Sequence, residues 1–278
     1  TEMYNNPITQ RNLEGLRSLG YHIMDPAEGW LACGITGVGR LPEPEAIVDW
    51  LESKMCSTNE LEGTTILVTA GGTQESIDPV RYIGNRSSGK MGYAIAEQAV
   101  RMGAKVILVS APTSLPIPSG VDFISVDSAV SMQEAVEARY NDVNVVIMAA
   151  AVSDFRVLHK AEQKIKKMES MTIELVKNPD ILQGLGSKKN HQILVGFAAE
   201  TEHVIKYGQD KVAKKNLDML VANDVSKSNA GFNVDTNEGY FLYPDKEPKE
   251  MPNMKKSDLA RHILREVIDL VANRADIN

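Results

Sequence analysis

The stretch Thr65-Ile-Leu-Val-Thr-Ala-Gly-Gly-Thr73 decides the fold class of this 278-residue chain. A β-branched apolar run of this kind is typical of a parallel strand that is buried because helices cover both faces of its sheet. The glycines directly after the run indicate a tight turn at the end of the strand. A loop over 74–88 and a helix from about Lys90 to Met102 are predicted to follow.

The same alternation of strands and helices continues along the chain. Further strands are predicted over 105–110, 143–149, 193–198 and 219–222, with further helices over 128–140 and 201–215. A later antiparallel strand over 239–243 and an amphipathic helix over 256–272 complete the pattern. Repeated βαβ units predict an α/β fold with a doubly wound, mostly parallel, Rossmann-like sheet and helices on both faces. Ligands of such sheets bind beyond the carboxyl ends of the strands, where the strand order reverses.

The first 60 residues predict a separate and smaller piece. It contains two helices, over 12–19 and 45–54, and a short strand over 21–24. So few elements can hardly form a hydrophobic core of their own. We therefore expect a linker close to residue 60 and a main domain over 61–278.

Composition places the chain among globular proteins and disfavours several classes. Hydrophobic residues make up 43% and charged residues 24%, and the net charge of −7 disfavours binding to nucleic acid or to an anionic membrane. No apolar run reaches the roughly 18 residues of a membrane span, and the polar N-terminus lacks a signal-peptide pattern. Cys33 and Cys56 are too few for a disulfide framework or a zinc site, so we expect a reducing cytoplasm.

A glycine-rich segment precedes the first helix of the main domain. Gly84-Asn-Arg-Ser-Ser-Gly-Lys-Met91 has the Gly-x4-Gly-Lys spacing of a P-loop, but Met91 stands where a Ser or Thr would contact magnesium. Small residues at a helix start leave backbone N–H groups available to an anion, and nearby basic residues add positive charge. Alternatively, Ser87 or Ser88 only caps the helix.

Small and aromatic residues follow two later strands. Ala149-Ala-Ala-Val-Ser-Asp154 comes at the end of a predicted strand, and its alanines admit a close ligand. Asp154 is placed to contact a ribose, a base or a metal-bound water, or else it caps a turn. Phe197, at the end of the next strand, either covers a flat base or packs in the core.

Lysines concentrate in two places despite the acidic net charge. The first cluster consists of Lys160, Lys164, Lys166 and Lys167. The other lysines, Lys211 and Lys215, are spaced i and i+4 and project from one face of a predicted helix. Such charges are usually solvated, but a triphosphate at the ligand edge of a sheet also needs local positive charge.

Taken in order, these segments resemble the bacterial phosphopantothenoylcysteine synthetases over residues 64–272. The motifs that carry the resemblance are Thr69-Ala-Gly-Gly-Thr73 with Asp78-Pro-Val-Arg-Tyr-Ile-Gly-Asn-Arg-Ser-Ser-Gly-Lys-Met-Gly92, Ala149-Ala-Ala-Val-Ser-Asp-Phe155, Lys164-Ile-Lys-Lys167, Lys177-Asn-Pro-Asp180, Gly196-Phe-Ala-Ala-Glu-Thr201 and Lys211-x3-Lys215-Asn-Leu-Asp218-x4-Asn223-Asp224. Their number and common order make the resemblance specific.

Residues 1–60 resemble the C-terminal end of a flavin-dependent phosphopantothenoylcysteine decarboxylase, followed by a linker. Leu31-Ala-Cys33-Gly, with the later Gly37-x-Gly39-Arg40, is similar to the active-site flap of that family, whose cysteine is a proposed proton donor. Most FMN-binding residues of the family lie upstream of this segment. The resemblance therefore implies that Cys33 is idle here and that residues 61–278 form a ligase domain.

The resemblance also implies a reaction and a set of site residues. CTP activates 4′-phosphopantothenate as an acyl-cytidylate, which L-cysteine then attacks; Mg²⁺ travels with the triphosphate rather than in a dedicated protein site, and the site is assembled in a homodimer. The nucleotide is assigned to Met148, Ala149, Ala150, Asp154, Pro179, Asp180, Ile181, Leu182 and Phe197. Its phosphates are assigned to Lys164, Lys211 and Lys215, and the acyl intermediate to Asn85, Arg81 and Ala150.

Other classes remain open from the residues alone. An NAD(P)-linked reductase shares this sheet, and Tyr207 with Lys211 matches its Tyr-x3-Lys pair, although the glycine turn does not run directly into a helix. A non-catalytic nucleotide sensor would bind CTP without releasing pyrophosphate. An active decarboxylase would need bound FMN.

Overall fold

The computed structural model describes residues 1–32, 34–55, 58–167, 169–200, 202–224 and 236–275. The chain divides into two compact units, Thr1–Thr58 and Asn59–Asn278. Helices and one antiparallel hairpin make up the first unit, which contains α1 (Glu2–Asn5), α2 (Pro7–Ser18), β1 (Ala27–Trp30), β2 (Thr36–Arg40) and α3 (Pro44–Met55). None of the residues described in this unit is buried, because so few elements enclose little volume.

Two predictions for the first unit are wrong in detail. Helix α2 begins earlier than residue 12, because the Asn6 side chain caps it and Pro7 fits the first helical position. Residues 21–24 form no strand, and extended pairing begins only at Ala27. Pro26, directly before that pairing, has no N–H to give to a strand ladder.

An eight-stranded sheet is the centre of the main unit. Its strands are β3 (Thr65–Ala70), β6 (Lys105–Ser110), β7 (Val121–Ser125), β8 (Val145–Met148), β11 (Ile193–Glu200), β12 (Met219–Asp224), β13 (Thr236–Leu242) and β14 (Lys249–Lys255). Two separate hairpins are formed by β4 (Gln74–Ser76) with β5 (Tyr82–Gly84), and by β9 (Phe155–Val157) with β10 (Leu175–Lys177). The helices are α4 (Lys90–Arg101), α5 (Ala129–Arg139), α6 (Ile181–Ser187), α7 (Val204–Lys214) and α8 (Lys256–Ala275), with a short 3-10 turn over Tyr140–Asp142.

The strand order confirms the predicted fold class. It runs β14-β13-β12-β11-β8-β3-β6-β7, with β12 to β7 parallel and with β13 and β14 antiparallel at one edge. The chain moves outward from β3 to β7, then returns to β8 and builds the other half of the sheet. The order therefore reverses between β3 and β8, as in a doubly wound α/β fold.

Each face of the sheet carries its own hydrophobic cluster. In β3, Ile66 and Val68 belong to the cluster that contains α4 and α8, whereas Leu67 belongs to the cluster that contains α5, α6 and α7. All three side chains are fully buried, because successive residues of a strand point to opposite faces. Burial of one such aliphatic side chain is worth about 1.5–3 kcal/mol, which explains why helices cover both faces.

Several short elements are not evident from the sequence pattern. The β4–β5 hairpin lies inside the predicted loop over 74–88, and β9, β10 and α6 are likewise too short for a hydrophobic period to show. Helix α7 starts at Val204 rather than at 201, because His203 adopts a left-handed φ of 46°. Among the residues described, no helix combines the length and the apolar character that crossing a membrane requires.

Candidate active site

The loops after β3 and β8 are joined where the strand order reverses. The Ala151 N–H donates to the Gly71 carbonyl at 2.8 Å, and the Ala150 N–H donates to Thr69 Oγ1 at 3.1 Å. The Ala149 N–H is also engaged, with the Ile147 carbonyl at 3.2 Å. These donors are all paired within the protein, and the Ala151 carbonyl accepts from the Thr73 amide at 3.2 Å, so the carbonyl groups of Ala149 and Ala150 are what this segment can offer to a ligand.

Two lobes of one cleft open at this reversal. Their volumes are about 350 Å³ and about 310 Å³, and both are lined by Ala150, Val152, Asp154 and Phe197. Of the predicted site residues, the first lobe contains Asn85, Ala149, Ala150, Asp154, Phe197 and Lys211. The second lobe contains Met148, Ala150, Asp154, Pro179, Asp180, Ile181, Leu182, Phe197 and Lys215. The fold thus brings residues from distant parts of the sequence to the edge of the sheet where ligands were expected.

Helix α4 points its N-terminus into the first lobe. Gly89 is its N-cap with a φ of 76°, so neither Ser87 nor Ser88 is the cap residue. A Cβ on Gly89 would lie 2.6 Å from Thr113, and a Cβ on Gly92 would lie 2.7 Å from the Ala70 side chain. Because both positions lack a side chain, the start of the helix lies directly against the end of β3. Its first backbone N–H groups carry the positive end of the helix dipole and suit an anionic ligand.

Asn85 spans the two loops that meet at the reversal. Its Nδ2 donates to the Val152 carbonyl at 3.1 Å, and its own backbone oxygen would lie 2.7 Å from a Cβ at Gly72. The amide is therefore held against the segment that follows β8, in the wall of the first lobe.

Asp180 and Lys215 form an ion pair in the second lobe. Lys215 Nζ lies 2.9 Å from an Asp180 carboxylate oxygen, and Asp180 also accepts from the Gln183 amide as the N-cap of α6. Burial by itself raises the pKa of Asp180, but the hydrogen bonds from Lys215 and Gln183 outweigh it and leave the pKa below its ordinary value. A phosphate that used Lys215 would have to share it with this carboxylate.

Asp154 and Phe197 stand where the two lobes meet. The Asp154 carbonyl accepts from the Asn178 amide at 2.8 Å, and the buried Asn178 side chain donates to the Ser153 carbonyl at 2.9 Å. These bonds fix the loop while Asp154 itself stays exposed. Phe197 is half-buried, packs against the hydrophobic cluster that contains α4 and α8, and also lines both lobes.

Arg81 and Lys164 lie together, but they line neither lobe. Arg81 forms an ion pair with the buried Asp78, and its Nη2 also donates to the Ile165 carbonyl at 3.0 Å. Lys164, directly before Ile165, is exposed. These two predicted site residues therefore form a second group, separate from the cleft residues of their own chain.

Asn223, Asn237 and Lys256 also line the first lobe, although none of them is among the predicted site residues. Asn237 is 3% exposed, and its side-chain oxygen has no partner among the described residues. The sequence could have indicated this position, because alternate residues of a strand point to the same face. Asn237 lies on the buried face of β13 together with Phe241. Lys256 opens α8 at 7% exposure, and the local sequence pattern gives no sign that it belongs to the cleft.

Three further expectations concern other residues. Cys33, the predicted flap cysteine, lies outside the described residues. Tyr207 of the Tyr-x3-Lys pair is 44% exposed on α7, and the β4–β5 hairpin separates the glycine turn after β3 from α4. Within the described ranges, no three His, Cys, Asp or Glu side chains are grouped so that they could hold a metal ion.

Known proteins match both units of the chain. The family model described as DNA/pantothenate metabolism flavoprotein C-terminal domain matches residues 61–271, and the model described as Flavoprotein matches residues 1–56. The coenzyme A biosynthesis bifunctional protein CoaBC of Bacillus subtilis is 48% identical over 272 residues, which cover 96% of this chain and 67% of that protein. The corresponding protein of Escherichia coli K12 is 44% identical over 272 residues, with the same coverage.

Solved structures give the same picture. The crystal structure of the C-terminal domain of a CoaBC protein is 44% identical and has a TM-score of 0.68, covering 78% of this chain and 100% of that one. A DNA/pantothenate metabolism flavoprotein from Streptococcus pneumoniae, 23% identical with a TM-score of 0.64, covers 74% of this chain and 98% of that one and shares the fold. From its sequence and its fold, this chain belongs to the DNA/pantothenate metabolism flavoprotein family, together with the bifunctional coenzyme A biosynthesis proteins.

Proposed function

We propose that this chain is a phosphopantothenate–cysteine ligase of coenzyme A biosynthesis. It joins 4′-phosphopantothenate to L-cysteine with CTP, through an acyl-cytidylate, and releases CMP and pyrophosphate. The observation that carries the proposal is the two-lobed cleft at the reversal of strand order, with a helix N-terminus and Lys211 in one lobe. The names of the related coenzyme A biosynthesis proteins support it.

The chemistry explains why such a cleft is needed. A carboxylate is a poor electrophile, and its conversion to an acyl-cytidylate supplies a leaving group and divides one difficult step into two easier ones. The carboxylate must first attack a phosphate that is surrounded by negative charge. Positive groups that stabilise the charge developing on pyrophosphate lower this barrier by several kcal/mol.

We assign the triphosphate to the first lobe and the base to the second. The first lobe contains the N-terminus of α4 and Lys211, which together bring positive charge to the phosphates. The base lies among Met148 to Ala150 and Pro179 to Leu182, and Phe197 covers its face. Because the N–H groups of Ala149 and Ala150 are engaged, the carbonyl oxygens accept from the amino group of cytosine.

Mg²⁺ would enter with the triphosphate and neutralise part of its charge. Asp154 is the exposed carboxylate shared by both lobes, so it would hold the ion through bound water. FMN belongs to the flavoprotein part of the family, which the match over residues 1–56 represents. The described residues of Thr1–Thr58 include no buried side chain that could enclose a flavin ring, so they do not fit FMN by themselves.

We further propose a homodimer in which Arg81 and Lys164 reach the cleft of the second copy. Two observations support this. Both side chains lie away from the cleft of their own chain, and the neighbouring hairpins expose large apolar side chains: Val80 and Tyr82 beside β4–β5, and Phe155 and Leu175 in β9–β10. Exposed apolar groups of this size are typical of a protein interface.

The proposed function is tested by measuring pyrophosphate release with CTP, ATP and UTP, each with 4′-phosphopantothenate and with or without cysteine. We expect CTP to be strongly preferred. UTP should fail because uracil presents an acceptor where cytosine presents its amino group, and ATP should be poor because a purine is larger than the pyrimidine. Pyrophosphate release from CTP should not need cysteine in a single turnover.

Equal turnover with all three nucleotides would contradict this assignment of the base. Binding of CTP with no pyrophosphate release in the presence of both substrates would instead identify a nucleotide sensor.

A further inference from the structure

Three hydrogen bonds tie the loop that carries Lys164 to the turn between β4 and β5. The Ala161 N–H donates to the Ile77 carbonyl at 2.9 Å, and the Ile165 N–H donates to Asp78 Oδ2 at 3.1 Å. In return, Arg81 Nη2 donates to the Ile165 carbonyl at 3.0 Å. Lys164 itself is exposed, but the backbone is anchored on both sides of it.

Asp78 is the centre of this connection, and its two carboxylate oxygens have different partners. Oδ1 accepts from the Val80 and Arg81 amides, each at 2.9 Å, and so closes the turn. Oδ2 accepts from the Arg81 guanidinium and from the Ile165 amide, and so holds the loop. The residue is 2% exposed, although Arg81 beside it is partly open to solvent.

The electrostatics of the site agree with a permanently charged carboxylate. The Arg81 guanidinium holds the pKa of Asp78 well below its ordinary range, against the opposing effect of burial, and the three backbone amides lower it further. Asp78 therefore accepts all of these hydrogen bonds at any pH at which an enzyme assay is run.

We propose that Asp78 is a positioning residue of the ligation, which presents Arg81 and Lys164 as one rigid unit. This inference rests on the proposed role of Lys164 in acyl-cytidylate formation. A lysine on an untethered loop would rarely meet a developing charge in the right place, and a displacement of about 1 Å can cost about 10²-fold in rate. Asp78 removes this freedom without touching a substrate.

The variant Asp78→Asn separates the two halves of the connection. Its side-chain oxygen can still accept from the Val80 and Arg81 amides and close the turn. The new NH2 group, however, would face the donors of Ile165 and Arg81, so the loop would lose its bond to residue 78 and become more mobile around Lys164. We expect pyrophosphate release to fall by about 10²-fold, mainly in kcat rather than in the KM for CTP.

Trypsin gives a second readout that needs no turnover. The anchored loop contains exposed Lys160, Lys164, Lys166 and Lys167, and we expect cleavage after them to accelerate in Asp78→Asn. Asp122→Asn is the matched control, because it removes a surface carboxylate on β7 that lies 4.0 Å from Arg139. This control should keep the wild-type rate and the wild-type cleavage pattern.

A second pair of variants changes the donor of the same hydrogen bond, Ile165, and leaves the buried carboxylate of Asp78 in place. Ile165→Pro lacks the backbone N–H that donates to the Asp78 carboxylate, whereas Ile165→Ala keeps it. Only the proline variant should share the slow pyrophosphate release and the faster cleavage after Lys160, Lys166 and Lys167. Trypsin does not cut the bond between Lys164 and a proline, so that site is left out of the comparison. This pair decides the question if Asp78→Asn does not fold.

Combination with Lys164→Gln shows whether Asp78 acts through that lysine. We expect the effect of Asp78→Asn on rate to shrink to less than about threefold in the Lys164→Gln background, because coupled residues are not additive. An undiminished effect would overturn the inference. Unchanged trypsin cleavage in both Asp78→Asn and Ile165→Pro would also overturn the inference. This readout is independent of the ligase proposal, because it can be measured even if the wild-type protein releases no pyrophosphate.

Discussion

At the scale of single residues, hydrogen-bond partners decide which carboxylates face a ligand. Asp218 belongs to one of the sequence motifs, yet it accepts from the Leu194 amide at 2.8 Å and from Lys189 and Arg274. It lies just before β12, at the opposite end of the parallel strands from the cleft. Asp154, in the loop that follows the carboxyl end of β8, is exposed and lines both lobes. The same residue type is therefore structural in one place and available to a ligand in the other.

Asn85→Asp should separate the two half-reactions. The amide of Asn85 can donate to a carbonyl oxygen that gains charge under attack by cysteine, whereas an ionised carboxylate cannot. The new carboxylate would also face the Val152 carbonyl oxygen, to which the Asn85 side chain donates in the wild-type protein. Loss of one such donor costs about 10²–10³ in rate, so the acyl-cytidylate should accumulate and be detected by mass spectrometry.

Asn190→Asp is a suitable control for this substitution, because Asn190 is exposed and lines neither lobe. It should make product at the normal rate without a detectable intermediate. If Asn85→Asp behaved like Asn190→Asp, Asn85 would be a loop residue and not a catalytic one.

At the scale of elements, the close approach of α4 to β3 is what places a helix N-terminus in the cleft. The approach depends on Gly92, where a Cβ would lie 2.7 Å from the Ala70 side chain and 2.8 Å from the Thr69 carbonyl oxygen. Backbone atoms are among these neighbours, so a side chain can be accommodated only if the helix itself moves. The sequence motif around Gly92 thus reflects helix–strand packing as much as ligand contact.

Gly92→Ala should lower both stability and nucleotide affinity. Overpacking of this kind costs about 1–3 kcal/mol, which exceeds the gain of up to about 1 kcal/mol from replacing a helical glycine. Thermal unfolding and CTP titration measure the two effects. The matched control is Gly184→Ala in α6, where a Cβ meets nothing within 4 Å and where we expect unchanged or slightly raised stability. A Gly92→Ala protein as stable as the control would contradict the packing argument.

At the scale of the whole molecule, the proposed dimer would make the site a property of two chains, because Arg81 and Lys164 line neither lobe of their own cleft. A two-fold dimer repeats each contact, so every Lys164 would serve the partner's cleft. The exposed apolar side chains of Val80, Tyr82 and Phe155 would then be covered by the second copy.

Subunit complementation tests this arrangement. Lys164→Gln and Lys211→Gln should each slow the first half-reaction by about 10²–10³-fold, which leaves a small but measurable rate, since each site loses one positive group. In a mixed dimer, one cleft combines the intact Lys211 of one chain with the intact Lys164 of the other. Random reassociation of equal amounts should therefore restore about one quarter of the wild-type activity. No recovery from folded, mixed dimers would show that Lys164 acts within its own chain.

The sequence by itself determined the fold class and the edge of the sheet at which the cleft lies. The apolar run over 65–70 and the later apolar runs predict strands from their local residue pattern alone. Because these strands are parallel, the motifs that follow them must meet at one edge of the sheet. Ala149, Asp154 and Phe197 accordingly lie together in the cleft. Predictions of this kind succeed because they depend on neighbours within a few residues.

Only the tertiary structure decided how the remaining residues are grouped. Asn237 and Lys256 enter the first lobe from β13 and α8, whereas Arg81 and Lys164 form a separate group around the buried Asp78. The bond between Asp78 and Ile165 joins residues 87 positions apart, and no local pattern specifies such a partner. Long-range packing brings these segments together, and the pairing of buried polar groups then determines which charges remain available for chemistry.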